Sequence, residues 1–169
     1  MTDLKVRLAS YPKNEKPDIL TFTETWTNDS VLNDELHIPG YTLVSRHDRS
    51  DTGGGRGGGI ITYVTDKLHV TEQTNEALQQ FNQTSCIQIA TTGGPYKLIT
   101  VYRSPNSSVP NNDALCRLVS ANSNGRTVFV GDFNFARIDW ASLRMSESDR
   151  QAENFLDTVT DHFLQQHVD

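Results

Sequence analysis

Thr127-Val128-Phe129-Val130-Gly131-Asp132-Phe133-Asn134-Phe135 decides how this chain is read. A short apolar run, Thr127 to Val130, reads as a buried strand that stops at Gly131, and a carboxylate and a carboxamide follow two residues apart. Side chains alternate along a strand, so Asp132 and Asn134 are expected on one face, with Phe133 and Phe135 packing on the other. A metal or a phosphate would then meet both polar groups at once. Aspartate and asparagine after a strand are also ordinary turn residues that bond their own backbone, and this stretch alone leaves both readings open.

Two other predicted strands end in the same manner. Leu98 to Tyr102 runs into Tyr102-Arg103-Ser104-Pro105-Asn106, placing a phenol and a guanidinium at a strand terminus. Such donors suit the oxygens of a phosphoryl transition state. Ile19 to Thr23 ends at Glu24-Thr25-Trp26, and alternation puts Glu24 on the side of Leu20 and Phe22, a carboxylate continuing an apolar face. A buried acid needs a cation or donors beside it. If the strands tipped by Glu24 and Asp132 lie side by side, their carboxylates converge, and repulsion of about 4 kcal/mol at an effective dielectric near 20 would be relieved by a divalent ion. Magnesium suits such a pair, because it takes one or two carboxylates and keeps exchangeable waters.

Outward from these ends, strands and helices alternate. Leu4 to Ser10 reads as the end of a helix stopped by Pro12, and Thr42 to Ser45 and Ile60 to Val64 as strands. Cys86 to Ala90 and Tyr96 to Tyr102 are joined by the hairpin-like Thr91-Thr92-Gly93-Gly94-Pro95, and Asn111 to Ala121 has helical spacing. Ser148 to Val168 places Phe155, Leu156, Val159, Phe163 and Leu164 on one helical face. The stretch from Asp51 to Gly59 holds six glycines and Arg56. A phosphate-binding P-loop needs Gly-Lys and Ser or Thr opening a helix, whereas these glycines open a strand, so they read as a turn or a close backbone approach. Arg56 remains a possible phosphate contact on that loop.

Composition bounds the function. With 169 residues, 36% of them hydrophobic, and a mean hydropathy of -0.51, the chain suffices for one packed domain. Its net charge of -6 argues against a nonspecific coat for nucleic acid, but not against a nuclease whose acids hold metal. Cys86 and Cys116 stand thirty positions apart without metal-site spacing and read as thiols in a reducing compartment. The first residues hold no secretory signal, and no run approaches the roughly 20 apolar residues of a membrane span, so the expectation is a soluble, intracellular protein with no membrane partner.

The order Pro17-Asp18-Ile19, Glu24-Thr25-Trp26, Gly57-Gly58-Gly59, Val101-Tyr102-Arg103-Ser104-Pro105-Asn106, Gly131-Asp132-Phe133-Asn134 resembles the endonuclease/exonuclease/phosphatase superfamily, which includes exonuclease III, apurinic endonucleases and DNase I. Within it the chain is most similar to the endonuclease domain that precedes reverse transcriptase in non-LTR retrotransposons. The resemblance implies an α/β fold, a two-sheet α/β sandwich of the DNase I-like type. It implies Glu24 as metal ligand, Asp132 orienting or activating the attacking water, Asn134 holding Asp132 or the phosphate, and Tyr102 donating to the scissile phosphate, with Arg103 a possible phosphate contact. The reaction implied is hydrolysis of a DNA phosphodiester with Mg2+ (or Mn2+), leaving a 3′-hydroxyl that primes reverse transcription. A reverse transcriptase domain in the same polyprotein and a nuclear location would follow.

The family pattern opens with a strand ending in asparagine and closes with an aspartate and a Ser-Asp-His step, none of which is matched here. His162 and His167 lie within or at the end of an amphipathic helix, and His37, His47 and His69 read as surface residues. The expectation is therefore a partial domain over residues 1–169, with the second sheet half largely missing and nicking weak or absent. Two alternatives stand beside the endonuclease: a phosphatase of the same superfamily, and a decayed, catalytically inactive binding fragment.

Overall fold

A computed structural model describes residues 6–8, 10–12, 15–48 and 57–167. Their strands form three sheets. β1 (Ile19–Thr23), β2 (Thr42–His47) and β3 (Ile60–Val64) make an antiparallel sheet with β3 in the centre. β4 (Val70–Glu72), β5 (Thr84–Ile89), β6 (Tyr96–Tyr102) and β7 (Thr127–Asp132) make the second, antiparallel except for the parallel β6–β7 pair. A parallel pair needs a crossover, and helix α2 (Val109–Asn122) supplies it. Helix α1 (Glu76–Gln80) precedes β5, while the small hairpin β8 (Ile138–Asp139) and β9 (Arg144–Met145) leads into helix α3 (Arg150–Asp161).

The mixed α/β architecture with stacked sheets agrees with the expected fold class, and where the second sheet half was expected to be largely missing, the described residues hold a three-stranded and a four-stranded sheet. Each sheet buries one face in its own apolar cluster. Ile61 and Tyr63 of β3, with Leu20 and Phe22 of β1, pack on Leu36, Ile38 and Tyr41. Ile99 and Val101 of β6 pack beneath the helices, against Leu115, Leu118, Phe155 and Leu156. Alternation turns the other faces toward each other, and hydroxyls meet there: the Thr21 Oγ1 atom lies 3.1 Å from that of Thr62 and 3.0 Å from that of Thr100. Thr62 and Thr100 are each only 1% exposed, so these hydrogen bonds satisfy groups that burial would otherwise penalise.

The predicted strands Ile19–Thr23, Ile60–Val64 and Tyr96–Tyr102 coincide with β1, β3 and β6. Helix α3 is shorter than the periodicity predicts. It ends at Asp161 because Phe163 adopts a left-handed φ of 54° and the amides of His162 and Leu164 turn back to the carbonyls of Thr158 and Val159. The helix expected over Leu4 to Ser10 lies partly, and Arg56 wholly, outside the described residues.

Candidate active site

Parallel pairing sets Tyr102 and Asp132 side by side at the C-terminal ends of β6 and β7. Gly131 makes this register possible: at its φ of 126°, a Cβ would sit 1.9 Å from the carbonyl oxygen of Val101. The strand stops at Asp132, and Asn134 takes a left-handed φ of 52°, so alternation ends one residue earlier than expected. Asp132 and Asn134 consequently do not share a strand face. Instead the backbone N–H of Asn134 donates to Asp132 Oδ1 at 3.2 Å, the local turn bond typical of aspartate. Phe133 and Phe135 do pack together, both against the ring of Phe155, at 5.4 and 4.6 Å between centroids.

Arg103 holds this turn from beneath. Its guanidinium donates to the carbonyls of Phe133 and Asn134 at 3.3 and 2.9 Å and to Asn112 Oδ1 at 2.8 Å, and it stacks 3.9 Å from the centre of Phe135. Its own backbone joins in: the N–H donates to Asp132 O at 2.8 Å, and the carbonyl accepts from Asn134 Nδ2 at 2.6 Å. At 6% exposure, the side chain expected as a phosphate contact is committed to the protein interior. Burial lowers its pKa from the ordinary arginine value, though it is flanked by the carboxylate of Asp149.

The sheet of β1 brings Glu24. This residue does not continue the apolar face of Leu20 and Phe22, because its φ of 53° turns it away, and it is exposed where burial was expected. Nor are β1 and β7 neighbours in one sheet. The link between the two acids is Tyr102, whose hydroxyl donates to Glu24 Oε1 across the sheets.

Residues 24–27 are shaped by glycines far along the chain. Thr25 and Trp26 donate their N–H groups to the carbonyls of Gly59 and Gly58 at 3.4 and 2.9 Å. A Cβ on Gly59 would lie 2.4 Å from Thr25 Oγ1, so the close-approach reading of the described glycines holds. Below them runs a chain of polar contacts that no periodicity signals. Thr25 Oγ1 lies 3.1 Å from Thr27 Oγ1, Thr27 donates to Asp48 Oδ1 at 2.5 Å, and Asp48 pairs with Arg46 at 2.7 Å. Gln83 ties the two strand ends together, accepting from Gly59 N at 2.9 Å through Oε1 and from Tyr102 N at 3.0 Å through its carbonyl. Gln83 is 8% exposed, and buried glutamine with long-range backbone partners was the signal that sequence could not supply.

As a donor set, the site offers the exposed carboxylate of Glu24, the half-buried carboxylate of Asp132 and the phenol of Tyr102. These are hard oxygen donors, few in number, which fits an ion that retains most of its waters. Among the described residues, no group of three or more His, Cys, Asp and Glu comes together as a closed metal cage.

Residues 96–169 match the family described as endonuclease-reverse transcriptase. No curated protein sequence matches the chain. Among solved structures, the fold is similar to the endonuclease domain of TRAS1, a telomere-specific non-LTR retrotransposon, at TM-score 0.61 and 17% identity, covering 95% of this chain and 64% of that one. It is also similar to the 3′-5′ exonuclease NExo from Neisseria meningitidis, at TM-score 0.59 and 20% identity, covering 93% and 65%. The chain thus spans less than two thirds of the length of these structures. The family match covers less than half of the chain, and the similarity to the solved structures shows a shared fold. Among the described residues, no helix is long and apolar enough to cross a membrane.

Proposed function

We propose that residues 1–169 form part of a metal-dependent DNA endonuclease domain of the retrotransposon type, which nicks DNA by hydrolysing a phosphodiester. The observation that carries this reading is the Tyr102 hydroxyl on Glu24, with Asp132 in register beside Tyr102. Three strand ends that are unrelated in sequence thereby present acid, phenol and acid to one edge of the sandwich.

In this reading Glu24 would hold magnesium, with manganese the alternative, and the ion would supply neutralisation of the negative charge that builds during phosphodiester hydrolysis. Asp132 orients the attacking water and takes its proton, while the Asn134 N–H keeps that carboxylate aimed. Tyr102 turns its O–H from Glu24 to a non-bridging oxygen as negative charge builds there. Water adds to phosphorus, the P–O3′ bond breaks, the departing O3′ takes a proton from solvent, and a 3′-hydroxyl and a 5′-phosphate remain. Arg103 acts as a positioning residue beneath the turn. A nuclear DNA substrate and a reverse transcriptase domain in the same polyprotein complete the proposal.

Nicking of supercoiled plasmid tests it. Slow, magnesium-dependent relaxation by the chain is expected, reduced about 100-fold or more by Glu24→Gln and by Asp132→Asn, since a positioned acid or base typically contributes 10²- to 10⁴-fold. Equal relaxation by the variants, or indifference to chelator, would overturn the reading. NExo is also described as a 3′ phosphatase, so a second reading places the chemistry at a phosphomonoester. Faster release of phosphate from a 3′-phosphorylated oligonucleotide than nicking of plasmid favours it. Absence of magnesium binding, with stability unchanged by Glu24→Gln, favours an inactive binding fragment.

A further inference from the structure

We infer that Trp26 is a stacking platform for a nucleobase next to the scissile phosphate, an inference that rests on the nuclease reading above. The indole is 61% exposed and lies two residues from Glu24, and its backbone has a left-handed φ of 56°. A bulky residue in that region is strained and persists only where its surroundings impose it.

Among the described residues, two other large apolar residues combine exposure with positive φ, but for local reasons. Leu143, 51% exposed at φ 52°, lies in the tight turn between β8 and β9, and Phe163, 91% exposed at φ 54°, closes the C-terminus of α3. Hairpin turns and helix ends demand that conformation. Trp26 lies in neither. Its N–H is pinned to Gly58 O at 2.9 Å, and the residues on both sides are fixed, Thr25 against Gly59 and Thr27 against Asp48. The backbone of Trp26 is therefore anchored on both sides while its indole stands in water, two residues from the acid that Tyr102 contacts.

An exposed indole on an anchored backbone is suited to stacking, because the chain need not reorganise to present it and any base has a face to offer it. A base seated on Trp26 would leave its own phosphate within reach of Glu24 and Tyr102. The contact is independent of net charge, which matters in a chain that carries -6 and has little nonspecific attraction for DNA.

The test uses the whole chain in chelator, so that binding is read without cleavage. A fluorescein-labelled single-stranded decamer reports affinity by anisotropy, and intrinsic fluorescence reports stacking, since Trp26 and Trp140 are the two tryptophans and Trp140 packs edge-on against Phe155. Trp26→Asn, a residue that tolerates left-handed φ, should weaken binding roughly 5- to 100-fold and abolish the quenching, and Trp26→Phe should restore most of the affinity. A decamer of abasic sugars should bind the native chain as weakly as the normal decamer binds Trp26→Asn. Equal affinity of the native chain and Trp26→Asn for the normal strand, or quenching that survives in Trp26→Asn, overturns the platform and leaves the nuclease reading standing. Failure of the native chain to bind either strand overturns the platform, while magnesium-dependent nicking decides the nuclease reading separately.

Discussion

The turn after β7 and the loop after β1 each present an acid at a strand end, and they are built by opposite means. Residues 131–135 are held by a single buried cation: Arg103 spans two carbonyls, an amide oxygen and an aromatic face. Residues 24–27 are held by backbone approach and a relay of hydroxyls, from Gly58 and Gly59 through Thr25 and Thr27 to Asp48 and Arg46. A centralised clamp fails as a unit, because removing one side chain strands several acceptors at once. A distributed one yields step by step. Glu24 and Trp26, both exposed, lie on the distributed side.

The sharpest way to break this comparison is to make one substitution on both sides. Gly131→Ala drives a Cβ to 1.9 Å from the Val101 carbonyl, a backbone atom fixed in the β6–β7 ladder. Gly59→Ala meets Thr25 Oγ1 at 2.4 Å, the tip of a side chain that can rotate. Thermal denaturation should show Gly131→Ala losing about 4 kcal/mol or failing to fold, and Gly59→Ala losing about 1–2 kcal/mol. Equal losses would mean that the two ends are held alike.

Arg103 comes next in size. Arg103→Met leaves the carbonyls of Phe133 and Asn134 and the Asn112 oxygen without their donor, at a cost of about 3 kcal/mol. Arg103→Lys should recover little, because one ammonium cannot span acceptors arranged for a planar fork. Hydrogen exchange locates the damage: the Asn134 amide should lose protection while the Trp26 amide keeps it. Parallel loss at both would join the two regions into one unit.

This contrast also explains what could be read from the sequence. The Asp132 turn is local, so its spacing was informative even though the left-handed Asn134 broke the expected alternation. β1, β3 and β6 were legible because their β-branched and aromatic runs are bounded by turn residues. Glu24 was legible as a strand-end acid but not as an exposed one, because its φ belongs to a loop pinned by glycines more than thirty residues later. Arg103 illustrates the converse. A guanidinium after a strand suggests phosphate, and only the fold reveals that Asn112, from the following helix, captures it. α1, β4 and the β8–β9 hairpin, with two to five residues per element, are too short to show a period.

The smallest effect is expected at the far end of the relay and depends on pH. Burial pushes the Asp48 carboxyl up, but hydrogen bonds from Arg46 and Thr27 and the charge of Arg46 outweigh it, and the group lies below its ordinary value of 3.8. A carboxyl depressed in the folded state adds stability above its unfolded pKa and loses it as pH falls through the folded one. The contribution is therefore complete at neutral pH and disappears below about pH 4. Asp48→Asn keeps an acceptor for Thr27 but has no charge to lose, so the gap in melting temperature between native and variant chains should close as pH falls from 6 to 3. Because Thr27 and Thr25 connect Asp48 to the backbone beside Trp26, the same titration should loosen Trp26 before it disturbs Asp132. Trp26 fluorescence changing in step with the Asn134 amide would contradict the separation, since it would show protons at Asp48 reaching the clamp that Arg103 holds on its own.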